Sequence, residues 1–284
     1  MRRVLIVGDE RKGQVSQLVG PIADQLRMDG HVVEVEFQRD ASLDGRDDVD
    51  LVVVFGGDGS ILGAARRMGA SQRPTLGINL GRLGFLTTFG PEEALEGIRA
   101  ALRDELVEEP RMMLAASVER SSGERTAPVP FLNDAVLVRD PRAGMVTIHA
   151  YRLDRDLAVY TGDGLVVATP SGSTAYSLAA GGPIMSPRLE AMVLTPLAPH
   201  TLTLRPLVLP VAQGVSLEVK ETGGEGPCVL TVDGQIPIDV RAGDRVHISP
   251  TDVRFRQLTH GPGSFFRTLR EKFGWADMPR RAPL

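Results

Sequence analysis

The stretch Leu51-Val52-Val53-Val54-Phe55-Gly56-Gly57-Asp58-Gly59-Ser60 decides how the first part of the chain folds. Its first five residues are continuously apolar, the pattern of a strand buried on both faces of a parallel sheet. Three glycines within four positions then permit positive φ and let the backbone approach a ligand closely. A helical pattern follows over 60–68, so the loop lies where a helix start offers unpaired N–H groups and a partial positive charge, a ready anion site. A tight turn capped by Ser60 is the structural alternative. Asp58 separates the two, because a carboxylate repels phosphate unless it has a task. It can hold a metal ion or accept a proton from an attacking hydroxyl; its own structural alternative is to stabilise a turn through the backbone.

Working outward, 3–7 reads as a short buried strand, and Val15, Leu18, Val19, Ile22 and Leu26 recur at helical spacing. Pro21 within that pattern either kinks the helix or belongs to its first turn. Val33, Val35 and Phe37 alternate as a strand, and 75–78 is another. Pro91 opens a helix at its favoured first position, with Glu92 and Glu93 suiting the positive end. Strand–helix alternation over 1–108 predicts an α/β domain with a parallel sheet.

From Arg111 the texture changes. Candidate strands at 112–118, 135–138, 145–153, 157–160, 165–168, 207–211, 216–219, 229–232, 246–248 and 253–258 are punctuated by Pro, Gly and Asp. One helical interruption falls near 174–180. This predicts an all-β domain over 109–260. Phe265 to Phe273 again show helical spacing, and a helix over 264–275 would return to the first domain.

Composition narrows the function classes. With 32 Lys+Arg against 36 Asp+Glu, the net charge is −4. That disfavours a general nucleic-acid binder and a polybasic membrane anchor. Hydrophobic residues form 42% of 284, enough for packed cores. The single cysteine, Cys228, cannot form an internal disulfide, and the five histidines show no metal-ligand spacing. A reducing, cytoplasmic compartment fits. The apolar run over 4–7 is stopped by Gly8-Asp9-Glu10-Arg11-Lys12, so no signal peptide is expected. No apolar run approaches the ~20 residues of a bilayer span.

A second polar constellation runs from Thr161 to Ser177. Ser171, Ser173, Thr174 and Ser177 can exchange hydrogen bonds with sugar hydroxyls, and Tyr176 can stack; a loop that merely caps a helix is the alternative. Asn133-Asp134 can bind a ribose diol or form an Asx turn. Val232-Asp233-Gly234-Gln235 reads as a hairpin, since Asp-Gly suits a type I′ turn. No Gly-x4-Gly-Lys-Ser/Thr loop occurs, and Gly8 is followed by Asp9, Glu10 and Arg11 rather than a dinucleotide fingerprint.

These motifs together resemble the NAD kinases (ATP-NAD kinases), which phosphorylate the 2′-hydroxyl of the adenosine ribose of NAD. They come in order: Gly56 to Ser60, then Leu76-Gly77-Ile78-Asn79 with Gly81-Arg82-Leu83-Gly84-Phe85-Leu86, then Asn133-Asp134. The block from Asp163 to Pro183 follows, then Thr195-Pro196 with Pro199-His200, and Asp233-Gly234-Gln235. The first motif also occurs in lipid kinases and phosphofructokinases; the block from Asp163 is specific, and the match covers roughly 3–275.

The resemblance implies an N-terminal α/β domain and a β-sandwich-like C-terminal domain that binds NAD, with the active site between them. It implies ATP (or polyphosphate in some members), a divalent cation such as Mg²⁺ or Mn²⁺ whose ligands it does not name here, and a homodimer or homotetramer. Asp58 would be the proton acceptor and, with Gly59, would touch NAD. Gly56, Gly57, Gly59 and Ser60 would hold ATP phosphates. Asn133 and Asp134 would bind the ribose, and Phe85 would lie near the adenine. Asp163, Ser171, Thr174, Ala175, Tyr176, Ser177, Leu178, Ala179 and Gln235 would line the dinucleotide site.

The chain departs from the family's usual pattern in places. Ser60 stands where Thr is commoner and keeps the hydroxyl. Asp134 replaces the commoner Glu and is one methylene shorter, so ribose contact shifts or passes through water. Thr161 stands where many members carry a basic residue and Gly144 where some have His or Arg, which removes cationic contacts to the nucleotide. A lipid or sugar kinase with the same loop would need an apolar channel or basic residues for a sugar phosphate; a non-catalytic NAD-binding protein would have no use for Asp58.

Overall fold

The computed structural model describes residues 1–81 and 84–275, so Arg82 and Leu83 of the quoted motif lie outside the described residues. The chain forms two compact units. One comprises Met1–Pro110 with the described residues from Arg256 onward; the other is Arg111–Phe255.

The first unit runs β1 (Arg3–Val7), α1 (Gly13–Met28), β2 (Val32–Glu36), β3 (Leu51–Phe55), α2 (Asp58–Arg67), β4 (Thr75–Ile78) and α3 (Ala94–Leu102). The strands pair in parallel in the order β2-β1-β3-β4. Every residue of β3 is buried, as its unbroken apolar run requires. The core joins Val4, Ile6, Val53 and Phe55 of the sheet to Val15, Val19, Ile22 and Leu26 of α1 and Ile98 of α3. Chain order reverses between β1 and β3, because β2 flanks β1 on one side and β3 on the other. Ligands of open α/β sheets bind beyond the carboxyl ends of the strands at such a switch point.

One open alternative is decided and two local expectations are corrected here. Pro21 lies inside α1, not in its first turn; the buried apolar face outweighs one missing backbone donor. α3 starts at Ala94, and Pro91 sits in the preceding turn with Glu93 as the N-cap. α2 starts at Asp58, two residues ahead of the apolar pattern, with Gly57 as N-cap, so Ser60 is not the cap. The periodicity becomes legible only where Ile61 and Leu62 enter the core. The earlier start places the Asp58 carboxylate in the first turn, where the helix dipole favours it.

The rest of the chain runs β5 (Val107–Glu119), β6 (Val129–Phe131), β7 (Asp134–Val138), β8 (Val146–Arg152), β9 (Arg155–Gly162), β10 (Gly164–Ala168), α4 (Tyr176–Ala179), β11 (Ala191–Leu197), β12 (Leu207–Pro210), β13 (Val215–Glu221), β14 (Cys228–Val232), β15 (Ile236–Val240), β16 (Arg245–Thr259) and α5 (Ser264–Phe273). One antiparallel sheet of the second unit has the order β12-β11-β10-β7-β14-β15. In the other, β16, β13, β8 and β9 are neighbours in that order, with β5 on β16 and β6 on β5. Leu137, Leu165, Leu194 and Leu230 from the first share one core with Leu114, Ile148, Leu217 and Val246 from the second, which makes the unit a β-sandwich.

The strands expected at 246–248 and 253–258 are one, β16. Pro250 suggested a break, but the register with β13 ends at Ile248, so Pro250 withholds no N–H from that pairing. β15 was hidden by Pro237, which an edge strand tolerates.

Two glycines inside helices should respond oppositely to alanine. A Cβ at Gly20 in α1 meets nothing within 4 Å, so Gly20→Ala should stabilise by about 0.5–1 kcal/mol. A Cβ at Gly97 in α3 would lie 2.6 Å from the buried Phe89 ring. Overpacking of roughly 1–3 kcal/mol then exceeds the propensity gain, and Gly97→Ala should lower the urea midpoint that Gly20→Ala raises.

Candidate functional site

The glycine loop follows β3. Gly56 N–H donates to the carbonyl of Ile78, 2.9 Å away, at the end of the neighbouring strand. Its φ is +156°, and a side chain there would collide with Ser60 Oγ, so the position admits only glycine. Asp58 then opens α2. Its Oδ2 accepts from the Phe85 N–H at 2.9 Å and its Oδ1 from the Leu86 N–H at 3.0 Å. A carboxylate has about four acceptor positions, so both oxygens keep capacity for a further donor while the group's orientation is set. Gly84 packs against this carboxylate, and its N–H donates to Thr87 Oγ1 at 3.0 Å. The Gln257 amide in turn donates to the Leu86 carbonyl at 3.0 Å. The Phe85 ring packs near Phe265 and Phe273, at centroid distances of 6.0 and 6.3 Å, with Lys272 Nζ 5.2 Å from its centroid.

In the second unit, Asp233 organises a separate cluster. It sits at the β14–β15 turn with φ of +48°, followed by Gly234 at +64°, the two left-handed residues of a type I′ hairpin. Its buried carboxylate accepts from the N–H groups of Leu132, Asn133 and Asp134 at 2.9, 2.7 and 3.1 Å. The Asp233 N–H returns a bond to the Asp134 carbonyl at 2.8 Å. The segment carrying Asn133 and Asp134 is thus held by its backbone, and neither of those side chains is spent on a hydrogen bond within the described residues.

The Asp134 side chain is buried beside the Asp233 carboxylate. Burial first, and the like charge second, push its pKa up to about 7.

The loop after β10 joins this cluster. Thr169 Oγ1 donates to the Leu132 carbonyl at 2.5 Å, and the Thr169 N–H donates to the Asn133 carbonyl at 2.9 Å. Gly172 packs so closely on the Asn133 carbonyl that no side chain would fit. Not every hydroxyl of the block faces outward. Ser177 is fully buried against Thr195 Oγ1 at 2.8 Å, and Ser173 bonds the Pro170 carbonyl and Met185 N–H. Thr174 bonds the Ser171 carbonyl at 3.1 Å. Tyr176 is 47% exposed, while Ala175 and Leu178 are half-buried and Ala179 is exposed. Gln235 follows Asp233 by two residues, which puts it at the same end of the sheet.

Asp163 is elsewhere. It precedes β10, whereas Thr169 follows it, and the Asp134↔Ala168 register puts Asn133 and Asp134 at the Thr169 end. Five residues of strand separate the two ends by about 17 Å. Asp163 pairs with Arg139 Nε at 2.6 Å. Sequence reasoning passed over Asp233 as an organiser, because a Asp-Gly hairpin already accounts for its presence; the accessible signal was a carboxylate in that turn rather than asparagine.

Models of the ATP-NAD kinase N-terminal and C-terminal domains match residues 17–106 and 132–258. An NAD kinase of Marinobacter nauticus is 42% identical over 80% of this chain and 76% of its own length. One from Rhodopirellula baltica is 38% identical over 96% and 87%. Among solved structures, an NAD kinase from Archaeoglobus fulgidus in complex with ATP superposes with a TM-score of 0.74 at 26% identity, over 95% of this chain and 98% of that one. A yeast NADH kinase complexed with NADH shares the fold, with a TM-score of 0.88 at 24% identity, covering 100% and 90%. An α/β unit with a glycine loop and a β-sandwich, matched in this way, is a phosphotransferase. The chain belongs to the NAD kinase family.

The Asp134 environment predicts a pH dependence of stability. Its folded pKa of about 7 lies above its ordinary 3.8, so the folded state resists the charge. The group's cost is absent below pH 3.8, grows as pH rises toward 7, and is constant above. Asp134→Asn should therefore be more stable than the parent at pH 8, with the gap in urea midpoint shrinking as pH falls through that window.

Proposed function

We propose that this chain transfers the γ-phosphoryl group of ATP to the 2′-hydroxyl of the adenosine ribose of NAD, giving NADP and ADP, with its residues in the following roles. Gly57 offers its N–H and Ser60 its hydroxyl to the donor phosphates at the positive end of α2, while Gly56, whose N–H is taken by Ile78, and Gly59 let the backbone approach those phosphates without side chains. Asn133 and Asp134, held by Asp233, take the ribose. Ser171, Thr174, Ala175, Tyr176, Leu178, Ala179 and Gln235 line the dinucleotide, with Ser177 shaping the wall from behind, and Phe85 lies on the adenine side. The 2′-oxygen forms its bond to the γ-phosphorus as the bond to ADP breaks. The leaving electron pair stays on the β-phosphate oxygen, and the hydroxyl proton passes to Asp58. Such transfers depend mainly on positioning and electrostatics. The observation that carries this reading is the carboxylate of Asp58 on the glycine loop, fixed by the backbone N–H groups of Phe85 and Leu86.

We further propose Mg²⁺ or Mn²⁺ as the accompanying cation. No cluster of three or more His, Cys, Asp or Glu side chains is placed to hold a metal among the described residues. Asp58, beside the donor-phosphate loop, is the side chain that would help to hold such an ion arriving with the nucleotide. When bound, it neutralises phosphate charge.

A homodimer or homotetramer is also part of the proposal. Asp163, at the wrong end of β10 to join Asn133, would serve the site only from a second copy, and sedimentation velocity checks the assembly. No described helix is long and apolar enough to cross a membrane. We place the work in the cytoplasm, in keeping with a buried, unpaired Cys228.

The direct test is purified protein with Mg²⁺-ATP and NAD, NADP being followed by an NADP-specific dehydrogenase; absence of NADP with ATP and with polyphosphate would reject the reading. Asp58→Asn should lower kcat by about 10²–10⁴-fold in a folded protein, and near-normal turnover would remove the base role. Asp134→Ala should raise KM for NAD by about 10- to 100-fold, the worth of lost charge-assisted hydrogen bonds, while KM for ATP stays put.

A further inference from the structure

A cavity of about 520 Å³ opens in the first unit, lined by Lys12, Gly13, Gln14, Gly56, Gly57, Asn79, Leu80 and Gly81. These residues follow β1, β3 and β4, so the cavity lies beyond the carboxyl ends of the strands at the β1/β3 switch point. We propose that Lys12 binds the terminal phosphates of the phosphoryl donor in this cavity. The inference rests on the kinase reading above and adds a ligand to it.

Three observations support the assignment. Lys12 is the only charged residue among the described lining, and its Nζ comes within 4.0 Å of where a Gly56 side chain would begin. Its ammonium makes no hydrogen bond or ion pair with a described residue. The neighbouring Arg11 is spent on Asp9, at 2.9 and 3.0 Å. The chain's two other lysines are engaged as well, Lys220 with Glu218 at 2.5 Å and Lys272 over Phe85.

Secondly, Lys12 is the N-cap of α1, where it makes no capping bond. Ser, Thr, Asp or Asn would satisfy a helix N–H there, and a cation at that end opposes the helix dipole. Helix stability therefore does not explain this residue. Thirdly, Asp58 at the same loop adds negative charge that repels the donor, and backbone N–H groups carry only partial charges against it. A compact ammonium on a flexible stem supplies a full positive charge and follows the oxygens as the phosphoryl group moves. Lys12 keeps its protons throughout; the hydroxyl proton goes to Asp58.

The assignment is checked with Lys12→Ser and Lys12→Arg, using ATP, NAD and the competitive probe tripolyphosphate. Lys12→Ser should raise KM for ATP and Ki for tripolyphosphate at least tenfold, leave KM for NAD unchanged, and not lower the thermal midpoint, because serine is the better cap. Lys12→Arg should recover most of the donor affinity. Unchanged ATP and tripolyphosphate constants in Lys12→Ser, or equal rises for ATP and NAD, would overturn the assignment. Parent protein that makes no NADP would sink the kinase reading itself. Thermal stabilisation by tripolyphosphate without NAD, present in the parent and lost in Lys12→Ser, sustains the cation's role independently of that reading.

Discussion

Two carboxylates, each gripped by backbone N–H groups, do the organising in this chain. Asp58 receives Phe85 and Leu86 across 27 and 28 positions of sequence; Asp233 receives Leu132, Asn133 and Asp134 across about a hundred. A charged acceptor strengthens such bonds roughly twofold over neutral ones. Each carboxylate also meets donors that would otherwise be left unpaired in a loop, where orphaned buried groups cost about 1–3 kcal/mol. The loops that carry the proposed site residues Asn133 and Asp134 are thereby set without spending those side chains on hydrogen bonds among the described residues.

The costs lie nearby. Asp134 is buried beside Asp233, which pushes its pKa up toward neutrality. Lys12 stands at a helix start that a serine would suit better. Residues that weaken the fold locally within a proposed site are the pattern expected where binding, rather than stability, is selected.

Much of the architecture was legible because burial writes itself into period. The continuous run of β3 and the alternation in β8, β13 and β14 follow directly from which faces meet the core. Legibility failed where a local signal outvoted the pattern. Pro237 hid β15, Pro250 divided β16, and Pro91 suggested a helix start that the chain delays to Ala94. Proline constrains its own φ and donor, but whether that matters depends on which neighbour needs the N–H, and the neighbour is set by topology.

The sequence alone determined the α/β and all-β halves, the glycine loop with its carboxylate, and the ordered motifs of a kinase family. Those depend on local chemistry: apolar period, left-handed backbone that only glycine accepts readily, and residue types matched to phosphate and ribose. Tertiary structure alone decided which polar groups are already committed. It showed Ser177 turned inward to Thr195, Asp163 bound to Arg139 at the far end of β10, Asp233 as the anchor of Asn133, and Lys12 beside the glycine loop. Hydrogen-bond partners are chosen by proximity in space, and a hundred residues of chain can separate groups that lie within 3 Å.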